Sequence, residues 1–166
     1  TLQANIIRGR VLDAETGEPL EGAQVHVNEA FVSTTYFTKV STDSLGYFHY
    51  RCGDMGRLTF TAKYFGYHDG TEKTIGIEGN DTIRLKDIRL KPSQLLLKEV
   101  EVRAKQRRFY MRGDTVVFNP EAFNMEEGAR LGELIEKLPG VSIKDGQLLW
   151  NGEPLKLMMN GQEAFS

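Results

Sequence analysis

Apolar and polar residues alternate along the first half of this chain with a period of two, and glycine, proline, asparagine or aspartate cuts the alternation at short intervals. Ala23, Val25 and Val27 alternate with Gln24, His26 and Asn28, while Leu58, Phe60, Ala62 and Tyr64 alternate with Thr59, Thr61 and Lys63. Successive side chains of a strand point to opposite faces, so each segment has one apolar face to bury and one polar face for water. Turn residues recur roughly every 8–12 positions from Asn5 to Lys91 with no helical stripe between them, the pattern of a β-sandwich. Ile83 and Leu85 share one parity and Ile88 and Leu90 the other. A bulge near Lys86-Asp87 or a change of sheet must reset the phase, and the bulge is the expectation taken here.

The pattern changes after Leu131. Leu131, Leu134, Ile135 and Leu138 fall at i, i+3, i+4 and i+7, which puts them on one face of a short helix that Pro139-Gly140 stops. Asp145-Gly146 and Asn151-Gly152 then supply the residues that tight hairpin turns need, with Gln147 to Trp150 and Leu155 to Met159 as the expected flanking strands. This second module is α+β.

With 166 residues the chain can hold one large domain or two small ones. A net charge of −2 gives no basis for bulk nucleic-acid affinity, and no apolar run approaches the roughly 18 residues of a membrane-spanning helix. One cysteine, Cys52, allows neither an internal disulfide framework nor a cysteine zinc site, and leaves cytoplasm and periplasm both open. No basic-then-apolar leader stands at Thr1, as expected of a cytoplasmic chain or a mature exported one.

Candidate chemistry is sparse. His26 and Glu29 spell H-x-x-E, but residues three apart on a strand point to opposite faces, so the pair is not expected to converge on a metal. His49 is expected on a solvated face. No nucleophile elbow, phosphate-binding glycine loop or carboxylate pair is evident. The expectation is a non-enzyme with no catalytic, cofactor-binding or metal residues. Tyr36, Phe37, Tyr47, Tyr64 and Tyr67 could together form a stacking platform for sugar, the basis of an alternative reading as a glycan- or protein-binding module. Arg112-Gly113-Asp114 spells a tripeptide that some adhesion receptors recognise, but three residues recur by chance and here they lead into a strand, so no such role is expected.

Four motifs carry a resemblance: Gly9-Val11-Asp13, Thr16 to Val25, Thr42 to Phe48, and Gly66-Tyr67. In this order they resemble the carboxypeptidase regulatory-like domain, which implies a seven-stranded transthyretin-like (immunoglobulin-like) sandwich over residues 1–92. Gly17 and Gly22 are expected in turn conformations closed to other side chains, and Asp43 with Gly46 is expected to close a hairpin. The implied role is scaffold.

The last third carries a second resemblance. Gly113-Asp114-Thr115-Val116-Val117-Phe118, Phe123, Gly128, Leu131, Leu134-Ile135, Leu138-Pro139-Gly140-Val141, Asn151-Gly152 and Asn160-Gly161 resemble the start of the plug domain of TonB-dependent outer-membrane receptors, and more closely the Bacteroidetes-type variant. That implies a partial plug at 113–166, in a piece of a larger protein whose barrel lies outside this sequence. Residues 93–112 are then a connector: from Lys98 to Arg112 it carries six basic residues against Glu99 and Glu101, and the alternation of Leu97 to Val102 permits a short strand. Leu97, Lys98, Glu99, Val100, Glu101 and Val102 resemble the TonB box, whose family form is close to L-x-E-V-x-V. The resemblance implies the TonB C-terminal domain and the protein's own outer-membrane barrel as partners, with a surface lipoprotein as a further one. It also implies a place on the periplasmic face of the outer membrane, and no cofactor.

Overall fold

The structure, a computed structural model, describes residues 5–30, 35–52, 57–75, 82–93, 108–119 and 130–159. The chain divides into two compact units, one of residues 1–64 and 69–91 and the other of residues 65–68 and 92–166. Both are mainly β, and among the described residues the one helix is short.

In the first unit, β1 (Asn5–Asp13), β4 (Tyr47–Cys52) and β7 (Thr82–Arg84) form one sheet in the order β4-β1-β7, with β8 (Ile88–Leu90) also pairing with β1. The other sheet has the order β3-β2-β5-β6, from β2 (Gln24–Ala30), β3 (Thr35–Ser41), β5 (Arg57–Lys63) and β6 (Gly70–Ile75). The apolar parity read from the sequence is the buried one: Val25 and Val27 on β2 and Leu58, Phe60 and Ala62 on β5 are all 1% exposed or less. Phe48 of β4 meets Phe60 of β5 at 5.8 Å between ring centroids, so the inner faces of the two sheets meet in a sandwich-like core.

The phase change near Lys86-Asp87 is a register shift along β1. Ile7 pairs with Ile83 and Val11 with Ile88, so the β7–β8 side holds one residue more than the β1 side, as a bulge requires. With the break at residues 85–87, the described residues of this unit form eight strand segments, with β7 and β8 successive along β1.

Side chains of the recurring motifs close the turns. Asp13 Oδ1 accepts the backbone N–H groups of Glu15 at 2.7 Å and Thr16 at 3.0 Å. The buried Thr42 hydroxyl accepts from Ala23 N at 2.8 Å and donates to Leu20 O at 2.5 Å. Asp43 Oδ1 accepts from Leu45 N and Tyr47 N, both at 2.9 Å, and Gly46 (φ 82°) completes a tight turn. It is not the hairpin expected from the sequence, because β3 pairs with β2 and β4 with β1, so the turn carries the chain from one sheet to the other. A side chain on Gly46 would lie 2.6 Å from Val11 O, so position 46 needs glycine for both space and backbone. Gly17 and Gly22 also have positive φ, at 77° and 78°.

The second unit contains β9 (Phe109–Arg112), β10 (Thr115–Phe118), α1 (Leu131–Glu136), β11 (Val141–Lys144), β12 (Gln147–Trp150), β13 (Glu153–Pro154) and β14 (Leu157–Met159). Residues 109–112, at the end of the expected connector, are therefore a strand. The helix ends two residues before Leu138, the last position of the apolar spacing, yet Leu131, Ile135 and Leu138 are all buried and Leu134 is half-buried. Asp145 and Asn151 have φ of 53°, followed by Gly146 at 79° and Gly152 at 81°, so both hairpin turns have the two positive-φ residues expected of them.

One strand assignment is corrected. Of Leu155 to Met159 only Leu155 reaches β12, donating its N–H to Leu148 O at 3.0 Å: the two-residue turn at Asn151-Gly152 sets Trp150 against Glu153 and Leu149 against Pro154. Leu157–Met159 instead runs parallel to β10, pairing Val116 with Leu157 and Phe118 with Met159, in a sheet of order β14-β10-β9. The sequence Leu157-Met158-Met159 is apolar on both parities and cannot choose between these partners. Around Phe65 of this unit, Phe109 lies at 5.0 Å and Trp150 at 5.7 Å, both edge-on.

Gly9 makes a direct test of the sandwich. It pairs with Phe48, and a Cβ built on it would overlap the Phe48 ring, which is 1% exposed and has nowhere to move. Gly9→Ala should cost about 1–3 kcal/mol by overpacking, read as a lower urea midpoint. Combined with Phe48→Ala, its added cost should largely vanish, because the two sites share one volume.

Candidate functional site

The candidate coupling residues Leu97, Lys98, Glu99, Val100, Glu101 and Val102 lie outside the described residues, as do Phe123, Gly128, Asn160 and Gly161. The geometry that bears on function comes from the two units on either side of residues 94–107.

In the second unit the β14-β10-β9 sheet presents β14 as an edge among the described residues, with Met158 39% exposed. Beside it runs a groove of about 730 Å³ lined by Leu131 and Ile135 of α1, Leu148 of β12 and Leu155, Leu157 and Met158. An apolar groove beside an unpaired strand edge has the two features that strand addition uses, main-chain donors and acceptors and seats for alternate side chains. The Arg112-Gly113-Asp114 tripeptide is the hairpin turn between β9 and β10: Arg112 pairs with Thr115, and Gly113 has φ 64°. Lys156 Nζ sits 3.2 Å from Asp114 and holds that carboxyl below its usual range.

In the first unit, His26 and Glu29 lie on opposite faces of β2. His26 is half-buried on the outer side, and Glu29 turns into the sandwich at 9% exposed. Tyr50 of β4 donates its hydroxyl to Glu29 Oε2 at 2.7 Å, a polar link between the two sheets, and its ring meets Phe60 edge-on at 6.1 Å. Burial, with the Glu29 carboxylate adding to it, pushes the Tyr50 phenol up to about 12. Cys52, also buried, is raised for the same two reasons. Among the described residues no group of three or more His, Cys, Asp or Glu side chains is placed to hold a metal ion. His49 is exposed, as expected.

The five-aromatic platform is corrected. Tyr64 and Tyr67 are 1% and 5% exposed and belong to the interior, because Tyr64 continues the buried parity of β5 and Tyr67 forms a bridge with Pro92. Tyr36 and Phe37 of β3 are exposed at 56% and 76%. Phe37 borders a groove of about 420 Å³ on the outer face of β3-β2-β5, with His26, Asn28, Lys39, Thr59 and Thr61 around it. Sequence reasoning also missed a basic cluster on the other sheet, where Arg8 and Arg10 flank the Tyr47 ring at 4.4 Å and 4.8 Å. Their i, i+2 spacing on β1 was the available signal.

The model of the carboxypeptidase regulatory-like domain family matches residues 6–91, the span of the sandwich. The chain belongs to that family. No curated protein matches it. Among solved structures, this regulatory-like chain is similar to the shaft pilin SpaA from Lactobacillus rhamnosus GG, with 20% identity over 55% of this chain and 47% of that one and a TM-score of 0.39. It is similar to catechol 1,2-dioxygenase from Pseudomonas arvilla C-1, with 17% identity, 56% and 53% coverage and a TM-score of 0.42. The Bacillus anthracis TIE protein follows at 18% identity, 54% and 17% coverage and a TM-score of 0.44. The chain spans 53% or less of each of these proteins' own lengths. Among the described residues no helix is long and apolar enough to cross a membrane, a statement that does not bear on β-barrels.

The Tyr50–Glu29 link gives a pH prediction with a fixed sign. The folded phenol titrates near 12 and the unfolded one near 10.0, so between these values the unfolded chain has lost a proton that the folded chain keeps. Stability is fully present below pH 10 and falls as pH rises towards 12. Urea unfolding measured across that window should show the decline, and Tyr50→Phe should flatten it.

Proposed function

We propose that this chain is the periplasmic N-terminal region of a TonB-dependent outer-membrane transporter or receptor, in which Leu97 to Val102 is the segment gripped by the TonB C-terminal domain. The observation that carries this reading is the order of parts: a carboxypeptidase regulatory-like sandwich is followed by a second compact unit with a short helix, a Pro-Gly stop and paired X-Gly hairpin turns. Between them the sequence L-K-E-V-E-V alternates, contains neither glycine nor proline and is flanked by charge. In this reading the sandwich is a scaffold and the second unit is the start of a plug. TonB pulls on the connector, the plug moves in its barrel, and no bond is made or broken. The site of action is the periplasmic face of the outer membrane. A surface lipoprotein docking on the outer end of the assembly is a further partner of the same reading.

A second reading, a glycan-binding sandwich, has one observation in its favour. Phe37 is exposed beside a groove that offers an amide, a histidine and hydroxyls, the side chains that recognise sugar hydroxyls around an aromatic stacking face. Titration with a glycan panel, with Phe37→Ala as the comparison, separates it from the first reading.

Strand addition makes the coupling reading testable. Main-chain hydrogen bonds along the added strand supply affinity and alternate side chains set register. Val100→Pro removes one donor and fixes φ, so binding to a TonB C-terminal domain from the same source should fall at least about ten-fold. Val100→Ala keeps the donor and should bind within a few-fold of the parent chain. Calorimetric titration decides: equal affinity for parent and Val100→Pro places the coupling segment elsewhere.

A further inference from the structure

The outer face of the β4-β1-β7 sheet concentrates positive charge in a chain whose net charge is −2. Along β1 the odd residues are buried, so Ile6, Arg8 and Arg10 face outward. Register brings other arginines beside them: Arg8 pairs with Arg84, and Ile6 pairs with Arg51. Like charges set opposite each other in a sheet repel, so the arrangement is unfavourable without an anion. Among the described residues none of Arg8, Arg10, Arg51 and Arg84 is paired with a carboxylate.

Two of these guanidinium groups are held in place. Arg8 and Arg10 sit 4.4 Å and 4.8 Å from the centroid of the same Tyr47 ring, and Arg10 Nε also donates to Leu45 O at 2.8 Å. Arg8 Nε is buried and has no hydrogen-bond partner, a donor desolvated without an acceptor. Arg8, Arg10, Arg84, Tyr47, Leu85 and Asp87 line a hollow of about 190 Å³.

We propose that this hollow seats a side-chain carboxylate of an acidic, extended polypeptide segment, held by the arginine forks of Arg8, Arg10 and Arg84. A guanidinium fork matches a planar carboxylate with two parallel donors. Tyr47 and Leu85 supply an apolar wall for the methylene groups of a glutamate. The volume suits one such side chain rather than a bilayer surface, and the acidic rim residue Asp87 opposes a densely anionic lipid layer or a dianionic phosphate more than a single carboxylate. Arg8 and Arg10 are two residues apart on a strand, so their spacing matches alternate side chains of an extended chain lying alongside. Arg51 extends the positive face for further acids. This surface is distinct from the Leu97 to Val102 segment and does not depend on its role.

The test is fluorescence anisotropy of the whole chain with a labelled ten-residue peptide of alternating glutamate and serine at low salt. Saturable binding is expected, weakening as salt is raised, about ten-fold weaker in Arg84→Ala, and lost in Arg84→Glu. Asp87→Asn should bind more tightly. Arg84 is exposed, so its variants should melt with the parent chain and decide the matter even if Arg8→Ala proves unstable. Inorganic phosphate and vesicles of anionic phospholipid are the competing ligands. No saturable peptide binding, unchanged affinity in Arg84→Glu, or arginine-dependent binding of phosphate or vesicles in preference to the peptide would overturn the assignment.

Discussion

The first unit depends on the contact between Phe48 and the bare backbone of Gly9. Sheets in a sandwich are held apart by whatever side chains their inner faces carry, and here a phenylalanine ring of β4 lies over the one residue of β1 that has nothing to displace it. The ring then reaches Phe60 of the facing sheet at 5.8 Å. Any side chain at position 9 would push Phe48 off β1 and lift the whole inner layer with it. The spacing of the two sheets and the closure of the core around Ile7, Val11 and Leu58 follow from that absence.

Around this contact the polar residues of the family pattern act as substitutes for missing backbone partners. Asp13 accepts two N–H groups at the turn after β1, Asp43 accepts two at the turn before β4, and Thr42 accepts one and donates one in the buried interior. A buried amide left without a partner costs on the order of 1–3 kcal/mol, so these short side chains make sharp chain reversals compatible with a dry core. The motif positions are thus a set of hydrogen-bond obligations met locally, and they leave the outer faces free to vary.

That division explains what the sequence reveals. Turn chemistry is local, so Gly46, Asp145-Gly146 and Asn151-Gly152 could be placed from their neighbours alone, and the parity of Val25, Val27, Leu58 and Phe60 identified the buried faces. Partner choice is not local. Leu157–Met159 is apolar on both parities, and only the assembled sheet shows that it joins β10 rather than β12. Tyr67 was misjudged because its burial comes from a bridge to Pro92, a residue far along the chain. For the same reason Arg8 and Arg10 were visible as a pair, whereas Tyr47 and Arg84 joined them only through the register of β4 and β7. The proposed coupling segment, Leu97 to Val102, rests on its sequence and its place between the units.

The first strand of the sandwich takes the last two as neighbours. Ile7 pairs in parallel with Ile83, and Val11 with Ile88, while β2, β3, β5 and β6 pair antiparallel among themselves at shorter separations. Closing a long loop before its contacts form is entropically slow. During synthesis the β3-β2-β5-β6 sheet has all its strands once residue 75 has emerged, whereas β1, although made first, waits for residues 82–90 before one side of it is covered. Among the strands of the sandwich, the first to be made is therefore among the last to be enclosed, and the order of translation and the order of assembly run in opposite directions.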